Sequence, residues 1–309
     1  MASSTNLQDS VQAMDETVPR GDLLMGGWER TGPVVVEVDG SAEGLRVIDY
    51  ACTEAMRFGV GLVLVAAYPA RGPQDVHQPW QTPERVGEFL RIAAAHVRRQ
   101  VGQALQVTLA PAEGARAKVL SGAARDARLL VVGRARRRGP ERLIAARANL
   151  ALARRSDCPL VVVPGSWKLA PGHRDVAVGI DGTALSSEAV EFAFQAAAER
   201  QGNLIAVHAV RRPLSPDGSW VREGDLALTE VLARSAADYP EVQVTRYLTN
   251  RPVVAALVHK AHEVGLVVLG AHAGRLPIGD PVARRAMVAV ATPVAIVPHK
   301  PTAYTRRLR

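Results

Sequence analysis

Short apolar runs recur along this chain, separated by longer segments in which apolar residues return every third or fourth position. The first run is Val34-Val35-Val36-Glu37-Val38, followed by Asp39-Gly40-Ser41. Gly61-Leu62-Val63-Leu64-Val65-Ala66-Ala67-Tyr68, Gln106-Val107-Thr108, Leu129-Leu130-Val131-Val132-Gly133 and Leu160-Val161-Val162-Val163 come next. Runs rich in Val, Leu and Ile and bounded by Gly, Pro or Asp read as strands. Most lack strict alternation, as expected of strands covered on both faces in a parallel sheet. Between the first two, Leu45, Ile48, Ala51, Cys52 and Ala55 keep helical spacing, with Ser41 placed to cap the helix start. Strand and helix alternate, which predicts right-handed βαβ units and a doubly wound sheet.

The same pattern then returns. Asp175-Val176-Ala177-Val178-Gly179-Ile180-Asp181-Gly182-Thr183 repeats the first strand and its turn, placing Asp181 on Asp39 at an offset of 142. Asn203 to Val210 repeats the second strand at that offset. Gln243-Val244-Thr245 and Leu266-Val267-Val268-Leu269-Gly270 follow at 137, and Thr292-Pro293-Val294-Ala295-Ile296-Val297-Pro298 answers Cys158 to Pro164 at 134. The offset changes only between elements, where loops tolerate length change. Val190, Ala193, Phe194 and Ala197 repeat the first helix. A repeat of this kind predicts two copies of one α/β unit: domains over 33–165 and 173–299, a linker over 166–172 containing Pro171, a disordered leader over 1–32 and a basic tail over 300–309.

Composition narrows the function classes. The 309 residues are 48% apolar with a low aromatic share, which suits aliphatic cores. No apolar run is long enough to span a bilayer, and the polar, acidic start does not read as a secretory signal, so the expected location is cytoplasmic. Two cysteines, Cys52 and Cys158, match neither a disulfide framework nor a metal cluster and are expected in the cores. The net charge of +8 is uneven: residues 33–165 hold 19 basic and 12 acidic side chains, residues 173–299 hold 12 and 13. The basic first domain raises nucleic-acid association as one reading. Its arginines are not interleaved with the aromatic side chains that single-strand binders stack on, which ranks that reading low.

The order strand, Asp-Gly-Ser, helix, Val-rich strand, Leu-Val-Val-Gly and a closing Cys-Pro-Leu-Val-Val-Val resembles the universal stress protein family, twice over. The resemblance implies two five-stranded parallel sheets of order 3-2-1-4-5, the adenine nucleotide α-hydrolase-like arrangement, with the last strands pairing so that the halves form an intramolecular pseudo-dimer. It implies a non-enzymatic stress-response regulator or nucleotide sensor. The candidate ligand is ATP or another adenine nucleotide, and the candidate partners are a regulatory protein and a second copy of the tandem chain. A slow ATPase or adenylate-handling enzyme is the alternative.

Open α/β sheets bind ligands beyond the carboxyl ends of their strands, where strand order reverses. Asp39 and Asp181 stand at that point, either to contact adenine or ribose, as the resemblance implies, or to cap the turn before the helix. Implied as nucleotide-binding are Asp39, Gly40, Val65, Gly133 and Arg134 in the first half, and Asp181, Gly182, Val207, Gly270 and Gly279 in the second. The family's ATP-binding members carry a loop Gly-x-x-Gly-x9-Gly-Ser/Thr whose backbone N–H groups approach the phosphates. Here Arg136 replaces the second glycine and Ala146-Arg147 the closing pair, while the second copy has Ala273 and a shortened loop to Asp280-Pro281, with Gly274 and Gly279 in partial compensation. These departures argue against ordinary ATP binding. Arg134, Arg136, Arg137, Arg138, Arg142 and Arg147 form either a solvated charged loop or a cradle for a different anion. His208 reads as a packed strand-end residue, and His259 and His262 lack partners for a zinc site. No Gly-x-Ser-x-Gly context exists for a nucleophile, and no catalytic residue is assigned.

Overall fold

Val34, Val35 and Val36 are withdrawn from solvent, as a strand covered by helices on both faces requires. They belong to β1 (Val34–Glu37), the centre of the first five strands: β2 (Leu62–Tyr68), β3 (Val107–Glu113), β4 (Leu129–Gly133) and β5 (Leu160–Val163). The connecting helices are α1 (Gly44–Phe58), α2 (Pro83–Val101), α3 (Arg116–Ala123) and α4 (Pro140–Arg155). The second set is β6 (Val176–Ile180), α5 (Ser187–Arg200), β7 (Leu204–Ala209), α6 (Ser219–Asp238), β8 (Val244–Thr249), α7 (Val253–Lys260), β9 (Leu266–Ala271), α8 (Pro281–Ala289) and β10 (Val294–Pro298). This computed structural model describes residues 31–69, 82–134, 140–168, 172–182, 186–210, 219–271 and 281–299. Residues 1–30 of the expected leader, residues 169–171 of the expected linker and the basic tail lie outside them.

Local chemistry explains the boundaries. α1 stops at Gly59, whose left-handed φ of 64° lets its N–H reach the carbonyls of Ala55 and Met56. α2 starts on Thr82, whose hydroxyl accepts from the Arg85 N–H, with Pro83 in the first turn where a missing donor costs nothing.

The strand order is β3-β2-β1-β4-β5-β10-β9-β6-β7-β8. Each half is a parallel sheet of order 3-2-1-4-5, as expected. The two join through β5 and β10, which run antiparallel with Val294 opposite Val162, Ala295 opposite Val161 and Ile296 opposite Leu160. The two expected five-stranded sheets are therefore one ten-stranded sheet with a pseudo-twofold relation across its middle. Central strands are nearly all buried, whereas the outer strands β3 and β8 expose residues on both faces, Thr108 and Leu109 in one and Thr245 and Arg246 in the other.

Polar groups also cross the seam. Arg200 of α5, 4% exposed, donates from Nη2 to both oxygens of Glu54 on α1 at 2.7 Å and from Nη1 to the Ala196 carbonyl at 2.9 Å. The Tyr50 hydroxyl lies beside the pair, and burial together with Glu54 raises its pKa. Arg128 pairs with Glu199 and lies 4.2 Å above the Phe58 ring. Cys52 and Cys158 are both buried core residues, and neither is in a disulfide.

Candidate functional site

Strand order reverses beside β1, flanked by β2 and β4, and beside β6, flanked by β7 and β9. A crevice therefore opens beyond the carboxyl end of each central strand. The two crevices are built differently.

In the first, Asp39 follows β1 and turns back on its own loop: its Oδ1 accepts from the Ser41 N–H at 2.9 Å and the Ser41 hydroxyl at 2.7 Å. Ser41 in turn accepts from the Gly44 N–H at 3.0 Å. Asp39 thus braces the entry to α1. Gly40 has a φ of 74°, and a Cβ there would lie 2.6 Å from the Phe89 ring of α2, so the turn requires glycine and the ring sits directly on it. Val65 is buried in β2 and its carbonyl accepts from the Val38 N–H at 2.7 Å.

Beside them lies a group that sequence reading did not single out. Glu37, the last residue of β1, receives Arg116 from the first turn of α3 in a two-pronged pair, Nε to Oε1 at 2.5 Å and Nη2 to Oε2 at 2.6 Å. The guanidinium also donates to Oδ1 of Asn149 on α4 at 3.3 Å. Burial alone would lower the Arg116 pKa, but Glu37 and the nearby Asp39 outweigh it and the net shift is upward. The available signal was a carboxylate inside an otherwise all-valine central strand, which demands a buried partner.

Gly133 ends β4. Arg134 follows it, but its guanidinium reaches across the seam: Nη1 donates to the carbonyls of Met287, Val288 and Val290 at 3.4, 3.2 and 2.7 Å, capping the end of α8 in the other half. Burial and the neighbouring Arg142 lower its pKa. Arg136, Arg137 and Arg138 lie outside the described residues.

In the second half a cleft of about 1010 Å³ opens at the equivalent place. Asp181 and Gly182 form its rim, Gly270 and Arg285 face it from the β9 side, and Asn250 and Arg251 from the loop before α7. Asp181 Oδ1 accepts from the Ser186 hydroxyl at 2.7 Å, so this carboxylate also braces a helix start. Gly182 has a φ of 80°. Val207 is buried in β7 opposite Gly179. His208 forms part of the wall, and its Nδ1–H donates to the Ile180 carbonyl at 2.9 Å, which leaves Nε2 as an acceptor. It is packed at the strand end, as expected. Gly279, Ala273, Gly274 and Asp280 lie outside the described residues, and α8 begins on Pro281. Among the described residues no three His, Cys, Asp or Glu side chains converge as a metal site, and no helix is long and apolar enough to cross a membrane.

Comparison with known proteins agrees with this architecture. A universal stress protein of Mycobacterium tuberculosis is 29% identical over 256 residues, 77% of this chain and 86% of the relative. Another, from Mycolicibacterium smegmatis, is 28% identical over 287 residues, covering 85% and 96%. The crystal structure of a universal stress protein from Archaeoglobus fulgidus superposes with a TM-score of 0.65 at 15% identity, over 87% of this chain and 97% of that one, and so shares the fold. The model of the universal stress protein family matches twice, over residues 31–164 and 172–298, one match for each half of the sheet: the chain belongs to the universal stress protein family.

Proposed function

We propose that this universal stress protein is a non-enzymatic regulator that senses an adenine nucleotide at the carboxyl edge of its sheet and passes that state to a regulatory protein. The observation that carries the reading is the open cleft beside β6, at the strand-order reversal where α/β sheets take their ligands. Its chemistry suits a nucleotide: a carboxylate on the rim for ribose hydroxyls, the Nε2 acceptor of His208 for an exocyclic amine, and Arg251 and Arg285 for phosphate.

The non-enzymatic part rests on what surrounds these groups. His208 is the one imidazole in the described cleft lining, and a main-chain carbonyl orients it instead of a carboxylate. The altered glycine loops point the same way, since Arg136 and Ala273 put side chains where glycines would let the backbone come close to a phosphoryl group.

Calorimetric titration with ATP, ADP and AMP, on the wild type and on Asp181→Ala, tests the proposal. Saturable binding that weakens at least fivefold in the variant is expected, with no phosphate release above buffer. An absence of heat for all three nucleotides would leave the cleft without this role.

A further inference from the structure

The two crevices descend from one repeated unit, and they differ in what stands at the end of the central strand: at four corresponding positions there the first half carries the larger side chain, whereas Ala66 and Gly114 give way to His208 and Arg251 in the second. At an offset of 142, Glu37 corresponds to Gly179. At 137, Arg116 corresponds to Val253. Along the crevice-facing helices α2 and α6, the buried Leu90 and Leu228 align at an offset of 138, which places Phe89 on Ala227 and Val86 on Gly224.

Each exchange has a visible consequence. In the first half, Glu37 and Arg116 close on each other across the end of β1 and are tied to Asn149. Phe89 covers Gly40. In the second half, Gly179, Val253, Gly224 and Ala227 all line the open cleft, and the atom of α6 nearest the Gly182 Cβ direction is the Ala227 methyl at 3.6 Å. The Glu37–Arg116 pair is also a poor candidate for displacement, because a ligand entering there would have to break a two-pronged ion pair and leave Glu37, 16% exposed, without its partner.

We propose that the first crevice is filled by its own side chains and that the chain holds one adenine nucleotide, in the second half. The self-filled first half then serves as a permanently closed partner, with the Glu37–Arg116 pair shutting the end of β1. This assignment rests on the nucleotide reading above.

The test uses the whole chain. Calorimetry with AMP and ATP is expected to give one equivalent per chain, and photolabelling with 8-azido-ATP followed by peptide mapping is expected to place the label in peptides from residues 173–299. Ala227→Phe, which transplants the Phe89 ring, is expected to weaken binding at least tenfold while the circular dichroism spectrum is unchanged. Should that variant misfold, Val253→Phe supplies a bulky, uncharged obstruction from α7. Two equivalents per chain, label in the first half, or unaltered affinity in a folded obstructed variant would overturn the one-site assignment while leaving nucleotide binding intact. No binding to the wild type would overturn both.

Discussion

Removing the carboxylate of Glu54 tests how the two halves are held. Glu54 is 2% and Arg200 4% exposed, and each belongs to a different half. In Glu54→Ala, Arg200 loses its two-pronged partner and keeps hydrogen bonds to the Ala196 carbonyl at 2.9 Å and the Tyr50 hydroxyl at 3.4 Å, with the charge of Glu199 nearby. Leaving one member of a buried pair uncompensated costs about 3–5 kcal/mol. At about 2 °C per kcal/mol for a chain of this size, the melting temperature should fall by about 6–10 °C. Replacing both partners, as Glu54→Leu with Arg200→Met, removes the two buried charges together; Arg57, a second partner of Glu54 at 2.5 Å, is 25% exposed and can turn to solvent, so most of that loss should be recovered. The assay is urea unfolding by circular dichroism on the wild type, the two single variants and the double. A loss below about 1 kcal/mol in Glu54→Ala, or a double variant as unstable as the sum of the singles, would refute the reasoning.

Other outcomes are open to measurement. Arg134→Ala strips three carbonyls of α8 of their cap and should cost about 1–2 kcal/mol, with faster amide exchange confined to the end of α8. Burial and then the Asp49 charge push the Cys52 thiol up to about 12, and Cys158 is fully buried, so iodoacetamide at pH 8 should leave both unmodified until the protein is unfolded. Burial raises the Glu199 carboxyl more than Arg128 lowers it. The folded state therefore binds more protons than the unfolded one just above the ordinary carboxylate range, stability should fall as pH rises through that window, and Glu199→Gln should flatten the slope.

The fold was legible because its determinants are local or repeated. Valine runs, the Asp-Gly turns and offsets between copies that step from 142 to 137 to 134 place every described strand, and strand order follows from the family resemblance. The site was less legible, because its decisive contacts join residues far apart in the chain. Glu37 and Arg116 are 79 positions apart, and nothing near either names the other. Arg134 sits beside a glycine that reads as a phosphate loop, yet its hydrogen bonds go to carbonyls more than 150 residues away. A charge in a valine strand announces that a partner exists, since burial without one is too costly, but the partner's identity is a property of the folded chain. The shift from Glu37 to Gly179 between copies was visible, and only the open cleft gives it meaning.

The antiparallel meeting of β5 and β10 has one more consequence. Two halves tethered in one polypeptide face each other at an effective concentration on the order of millimolar, so their association survives any dilution of the protein. Mutations that would scatter a pair of separate subunits are tolerated here by the tether, and changes confined to one half are never imposed on its twin. A covalent link of this kind gives a lineage room to specialise, because the two lobes can diverge in sequence without losing one another.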